Sequence, residues 1–300
     1  MHARHSVLSL AAILLLAGCA GDPASPAAAS AAAPSGPSLS YVRPTGEIVI
    51  TEEDVARQIE NTTPTSSWVL FTRAGVATGD FVVGPTSGSQ SVPTGVGSLR
   101  LVTPAGSDKV FLFNYDHVGT ALASIDALSY STFRSTGTLQ QVAALNIQVD
   151  VNGPADGGFT TLVFEPVYNT AQGAVVNDAW QAWDAHGGGS ARWWSTRAIA
   201  GVCAFDCFVA WSDIVAANPD AVITGGFGVN QGSGNPTLST AVDRLTIGAG
   251  GATHVYDFEP IVTPTTREAC KDGGWQAFQD AGGPMFTNQG QCVSYVQSGR

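Results

Sequence analysis

Leu145-Asn146-Ile147-Gln148-Val149-Asp150-Val151 decides the fold. Four apolar residues fall at every second position and Asn146, Gln148 and Asp150 lie between them, a period that an extended strand converts into one apolar and one polar face. Outward from this stretch, from Trp68 to Glu259, the texture repeats. Short β-branched and aromatic runs are separated by Gly, Pro, Asn, Asp and Ser, with strands expected at Trp68 to Thr72, Asp80 to Val83, Ser98 to Thr103, Lys109 to Asn114, Ala127 to Phe133, Leu139 to Val151, Thr160 to Glu165, Ala179 to Asp184, Ala191 to Ser195, Val222 to Val229, Val242 to Ile247 and His254 to Glu259. Many short strands divided by turn signals predict an all-β protein, an antiparallel β-sandwich of jelly-roll type, with a barrel as the alternative closure. One helix interrupts the series, with Ser212 or Asp213 as its cap and Asn218-Pro219 as its stop.

The composition agrees with a packed domain. Hydrophobic residues make up 44% of the 300 and charged residues only 12%, so a coiled coil and a charged disordered chain are excluded. A formal charge of −11 with two lysines, Lys109 and Lys271, leaves no clustered cations for phosphate, which excludes nucleic acid as a partner.

Arg4 precedes the apolar run Val7 to Ala17, the order of a secretory leader, and the run is too short to span a bilayer of about 30 Å as a helix. It ends in Leu16-Ala17-Gly18-Cys19, which resembles the lipobox of bacterial lipoproteins. That resemblance implies removal of residues 1–18, acylation of Cys19 with palmitate among its chains, and a secreted, extracytoplasmic protein whose membrane partner is reached through the lipid. Ala20 and Gly21 follow the cysteine with no aspartate, which in that family favours the outer membrane over the cell membrane where a host has two. Residues 19–40 then read as an Ala/Pro/Ser spacer with too little to bury for a core.

Residues 41–66 are expected to form a short strand and a helix, the helix opened by the capping box Thr51-Glu52-Glu53-Asp54 and running to about Glu60. The sandwich occupies 67–260. Residues 261–300 form a small helical tail, with Thr266 capping a helix through Asp272, Gly273-Gly274 ending it, and Asn288 capping a second helix from about Gly290 to Gln297. The strings Cys270-Lys271-Asp272-Gly273-Gly274-Trp275 and Asn288-Gln289-Gly290-Gln291-Cys292-Val293 resemble a short C-terminal module of assorted bacterial secreted proteins, which carries no known activity. A unit this small needs a staple. Four cysteines remain after Cys19 and allow three connectivities; local pairing, Cys203 with Cys207 and Cys270 with Cys292, keeps each disulfide inside one unit.

Function is sought first in the aromatic residues. Trp180, Trp183, Trp193 and Trp194 fall on two strands joined across a Gly-rich turn, and the expectation is a hairpin whose faces each receive two indoles. One face is core; the other would present two rings beside Gln181, Asp184 and Arg192, which suits the apolar face and hydroxyl rim of a sugar. In texture the region resembles carbohydrate-binding modules and lectins, and the resemblance implies a non-catalytic binder of extracellular or cell-wall glycan. The competing structural arrangement covers both faces and leaves a structural or protein-interaction lipoprotein. A polysaccharide hydrolase or lyase is the other alternative, with Glu165 and Glu259 as catalytic candidates and Asp184, Asp243 or Asp257 as substitutes. No cofactor is expected beyond calcium, for which Asp150, Asn152 and Asp156 place three oxygen side chains in one turn; the same string also reads as an Asx hairpin turn.

Overall fold

The computed structural model describes residues 41–73, 75–152, 157–187, 191–205, 207–280 and 283–298. Two mixed sheets pack face to face into a β-sandwich. Numbered along the chain, sheet A contains β1 (Ile48–Ile50), β4 (Thr78–Val83), β5 (Gly97–Thr103), β7 (Ile125–Thr136), β10 (Trp180–Asp184), β14 (Leu238–Ala249) and β15 (Ala252–Phe258). Sheet B contains, in spatial order, β12 (Val209–Ala210), β11 (Arg192–Ser195), β9 (Phe159–Phe164), β8 (Ala144–Asp150), β13 (Val222–Gln231), β6 (Val110–Asn114), β3 (Trp68–Thr72) and β2 (Val55–Ile59). The pairings are antiparallel except β1 with β15 and β2 with β3. All twelve expected strands are present, with ends shifted by up to five residues, the most at β8, which starts at Ala144 where Leu139 is expected.

The deciding stretch behaves as its period requires. Leu145, Ile147 and Val149 are fully buried between the sheets, among Leu70, Leu112, Leu162, Phe164, Phe227 and Val229 from sheet B and Leu99, Leu101, Val242, Leu245 and Phe258 from sheet A. The opposite face is less wet than alternation implies, because Asn146 and Asp150 are also buried.

β14 organises sheet A. One edge pairs with β7 along most of its length, while the other pairs first with β5, through Leu238 to Val242, and then with β15, through Leu245 to Ala249. Between these partners Asp243 is fully buried and Arg244 adopts a left-handed backbone with φ 53°.

Two helical expectations are corrected. The Thr51 capping box forms, with Thr51 N–H donating to Asp54 at 2.8 Å, yet it opens only a 3-10 turn over Glu52–Asp54. The chain then becomes β2, whose parallel ladder to β3 overrides the i, i+4 pair Val55 and Ile59. In the tail, Thr266 Oγ1 accepts from Ala269 N at 3.2 Å ahead of a single 3-10 turn at Glu268–Cys270, and Gly273-Gly274 opens a helix in place of ending one. That helix is α2 (Gly274–Asp280); α1 is Trp211–Ala217 and α3 is Gln289–Ser298. Asn288 caps α3 as expected, accepting from Gln291 N at 3.0 Å. The disulfide Cys270–Cys292 sits in a small core with Phe286, Trp275, Phe278 and Tyr295.

Candidate functional site

The four tryptophans of the expected hairpin do not share a sheet. β10 pairs with β7 in sheet A, whereas β11 lies between β9 and β12 in sheet B, so the chain crosses the sandwich between Asp184 and Arg192. Alternation nevertheless holds within each strand. Trp183 and Trp193 point inward, 1% and 0% exposed, and each satisfies its N–H internally: Trp183 donates to Thr132 Oγ1 and Trp193 to Ala185 O. These two indoles belong to the core, and ligand contact through them is corrected. Trp180 lies on the outside of sheet A, half-buried against Phe133, with its N–H donated to Pro85 O at 2.8 Å. Asp184 is spent locally, accepting from His186 N and Gly187 N.

Trp194 is the member that stays available, on the outer face of sheet B. Its indole N–H donates to Glu165 Oε2 at 2.8 Å, and its ring lies 5.3 Å from that of Phe205. Phe205 is 51% exposed and occupies a left-handed backbone, φ 56°, at the midpoint of the loop closed by Cys203–Cys207. Such a conformation costs a bulky residue of order 1–3 kcal/mol, and the disulfide with the Phe205 N–H to Ser195 O bond holds it. Two residues before Trp194 on the same strand face, Arg192 donates to Phe208 O at 3.1 Å. Phe208 in turn meets Tyr168 in a tilted ring contact at 4.6 Å, and Tyr168 is 49% exposed.

These residues form one patch. Register places Trp193 beside Phe164 and Trp194 beside Val163, Glu165 follows β9 just ahead of Tyr168, and the Asn169 side chain holds the Arg192 backbone to this segment. Burial raises the Glu165 pKa, against which the Trp194 hydrogen bond acts; burial and then the Glu165 charge raise that of Tyr168. Chemically, the patch offers aromatic faces for C–H surfaces, a carboxyl acceptor and a guanidinium donor. Sequence reasoning missed Phe205, Phe208 and Tyr168. The available signal was the short spacing Cys203 to Cys207, which props up the residue between them as well as stapling the loop.

The two glutamates proposed as catalytic partners are held apart. Glu165 belongs to the outer side of sheet B, while Glu259 follows β15 in sheet A, fully buried and paired with Arg43 at 2.8 Å. They do not flank a common bond. At the calcium candidate, Asp150 Oδ1 accepts from Asn152 N at 2.9 Å and Asn152 Nδ2 donates to Gly157 O, which is Asx-turn chemistry; Asp156 lies outside the described residues. Among the described residues no group of three His, Cys, Asp or Glu is arranged to hold a metal ion. A shallow groove of about 270 Å³ lies elsewhere, on the outer face of sheet A between Val82, Val83, Pro85, Arg100, Ser135 and Ser239. A further cluster joins the sheets at one edge, where His117 Nε2 meets Tyr256 OH at 2.8 Å and His254 lies 5.4 Å from His117.

These features define a disulfide-bonded β-sandwich with an exposed aromatic platform. No family model, no curated protein and no solved structure matches the chain.

Proposed function

We propose that this protein is a lipid-anchored, extracytoplasmic binder of glycan, non-catalytic, with its ligand on the outer face of sheet B. The observation that carries the reading is the Trp194–Phe205 ring pair, presented by the Cys203–Cys207 loop beside Glu165, with Arg192 on the same strand bonded to Phe208 O. Aromatic faces match the C–H faces of pyranose rings, and the flanking carboxyl and guanidinium suit their hydroxyls. Binding of the full-length protein to an array of cell-wall and extracellular polysaccharides, compared with Trp194→Ala and Phe205→Ala, tests it. Retention of at least one glycan by the wild type and its loss in both variants supports the reading. No retention on any glycan, or equal retention by all three proteins, refutes it.

Anchoring rests on the lipobox-like Leu16-Ala17-Gly18-Cys19 and the spacer through residue 40. Mass spectrometry of the membrane-extracted protein should find acyl chains, palmitate among them, on an N-terminal Cys19. Cys19→Ser should release the protein from the membrane fraction.

A second reading, a hydrolase or lyase, rests on Glu165, whose burial favours the protonated form needed by a general acid. It requires product release from a glycan that disappears in Glu165→Gln.

A further inference from the structure

Three carboxylates converge on the outer side of sheet A, away from the aromatic platform. Asp257 and Glu259 flank the core residue Phe258, and Asp243 joins them from the point where β14 changes partners. All three are fully buried. Asp243 takes Thr94 N and Thr94 Oγ1 on one oxygen, at 2.9 and 2.8 Å, and Phe258 N at 3.2 Å on the other. Asp257 Oδ2 takes Arg43 Nε at 2.5 Å, and Glu259 Oε1 takes Arg43 at 2.8 Å and Val96 N at 2.7 Å. Among the described residues, Asp257 Oδ1 and Glu259 Oε2 have no hydrogen-bond partner.

The cover over this cluster is the connection between β4 and β5. A Cβ on Gly95 would lie 1.5 Å from Glu259 Oε1, and one on Gly97 would lie 2.7 Å from Glu259 Oε2, so bare backbone presses on the carboxyl and keeps water out. Residues 84–96 contain no charged side chain. The same connection receives Trp180, through Pro85 O and Gln90 Oε1, and Pro85 lines the groove on sheet A.

Arg43 supplies a positive charge against three acids. The neighbouring groups are Glu47 on the segment that carries Arg43 and Arg244 on β14. Removing three carboxylates from water with one guanidinium between them is unfavourable when all three are ionised. No metal-holding arrangement exists among these residues. A proton on a carboxyl supplies both the missing neutralisation and a donor for an orphan oxygen.

We propose that the Asp243–Asp257–Glu259 cluster is a proton-dependent clasp that keeps the 84–96 connection closed over sheet A. Loss of the protons charges the cluster, and opening the connection admits the water that solvates it. Burial, then the Asp257 charge, raises Asp243 to about 7 and Glu259 to about 8, and burial raises Asp257 against the pull of Arg43. For groups raised above their unfolded values, the clasp is complete in acid and is lost as pH rises through 7 to 8. Opening would move Pro85 and Gln90 away from Trp180, so the groove and this indole would respond together.

Hydrogen exchange by mass spectrometry on the full chain tests the clasp, with rates corrected for the intrinsic pH dependence of exchange. Between pH 5 and 8, protection of residues 84–96 should fall by up to about tenfold per pH unit for each proton that the closed cluster holds and the open one has lost, and should level off above 8, while β8 and β13 stay protected. Glu259→Gln and Asp243→Asn should each flatten that slope. A wild-type profile for 84–96 that is flat across this range overturns the proposal, whether or not the variants fold; a slope unchanged in both folded variants also overturns it.

Discussion

Trp194 donates its indole N–H to the carboxyl of Glu165 across two neighbouring strands of sheet B, at 2.8 Å. That bond fixes the ring plane that Phe205 meets and opposes the rise that burial imposes on Glu165. Removing the N–H while keeping an aromatic ring separates the two roles. In Trp194→Phe the Glu165 pKa rises further above its ordinary value. A carboxyl carbon NMR titration of wild type and variant measures the difference, and glycan retention should weaken less than in Trp194→Ala.

Opening the Cys203–Cys207 loop should hurt the platform more than the fold. For so short a ring the loop-entropy contribution is about 2 kcal/mol, and the sandwich core lies elsewhere. The Cys203→Ala/Cys207→Ala variant is expected to lower stability in urea by about that amount and to release Phe205 from its left-handed backbone. Loss of the Trp194–Phe205 ring contact in NMR distance measurements would confirm the release.

Trp193 and Trp180 are predicted to differ sharply although both are indoles with satisfied N–H groups. Trp193 is fully buried and rings with Phe164 and Trp211, so Trp193→Ala should cost about 3–5 kcal/mol in denaturant unfolding. Trp180 is half-buried on the outside of sheet A, and Trp180→Ala should cost less than half as much.

His117 gives a pH dependence of opposite sign to the carboxylate clasp. Burial, then the nearby His254, lowers its pKa to about 4 from an ordinary 6.5, so the ring is neutral at pH 7 and bonds Tyr256 OH. Because the folded value lies below the unfolded one, this contribution is complete above pH 6.5 and fades as pH falls through 4. An imidazole titration by NMR should read near 4 for His117. Replacing it by Gln should remove the acid-side loss of stability between pH 6 and 4.

Reducing Cys270–Cys292 should unfold the tail and spare the sandwich. The tail core consists of that disulfide, Phe286 and a few half-buried neighbours, too little apolar surface to stand alone, and closure of its loop contributes about 3 kcal/mol. Dithiothreitol should therefore expose residues 268–298 to protease while β8 and β13 remain protected from exchange.

The strands were legible because alternation and short β-branched runs between turn residues are local properties: several runs state their own inward and outward faces, and Leu145, Ile147 and Val149 lie inward as their spacing requires. Both disulfides were legible because each pair of cysteines falls inside one expected unit, Cys203–Cys207 within the sandwich and Cys270–Cys292 within the tail. The Val55–Ile59 segment was misread as helix because two apolar residues four apart fit either period, and only pairing with β3 chose between them. The tryptophan hairpin was misread because a chain that turns after Asp184 can return to its own sheet or cross to the other, and no residue in the turn marks the difference.

Composition and period thus determined, from the sequence alone, an all-β sandwich with little charge, its strand faces and its staples. Tertiary structure decided which strands share a sheet, which indole of each pair meets solvent, and that Asp243, Asp257 and Glu259 share one buried site with Arg43. The physical reason is range. Side-chain alternation is set by two neighbouring residues, whereas strand order and charge burial depend on contacts between segments that the chain alone does not bring together.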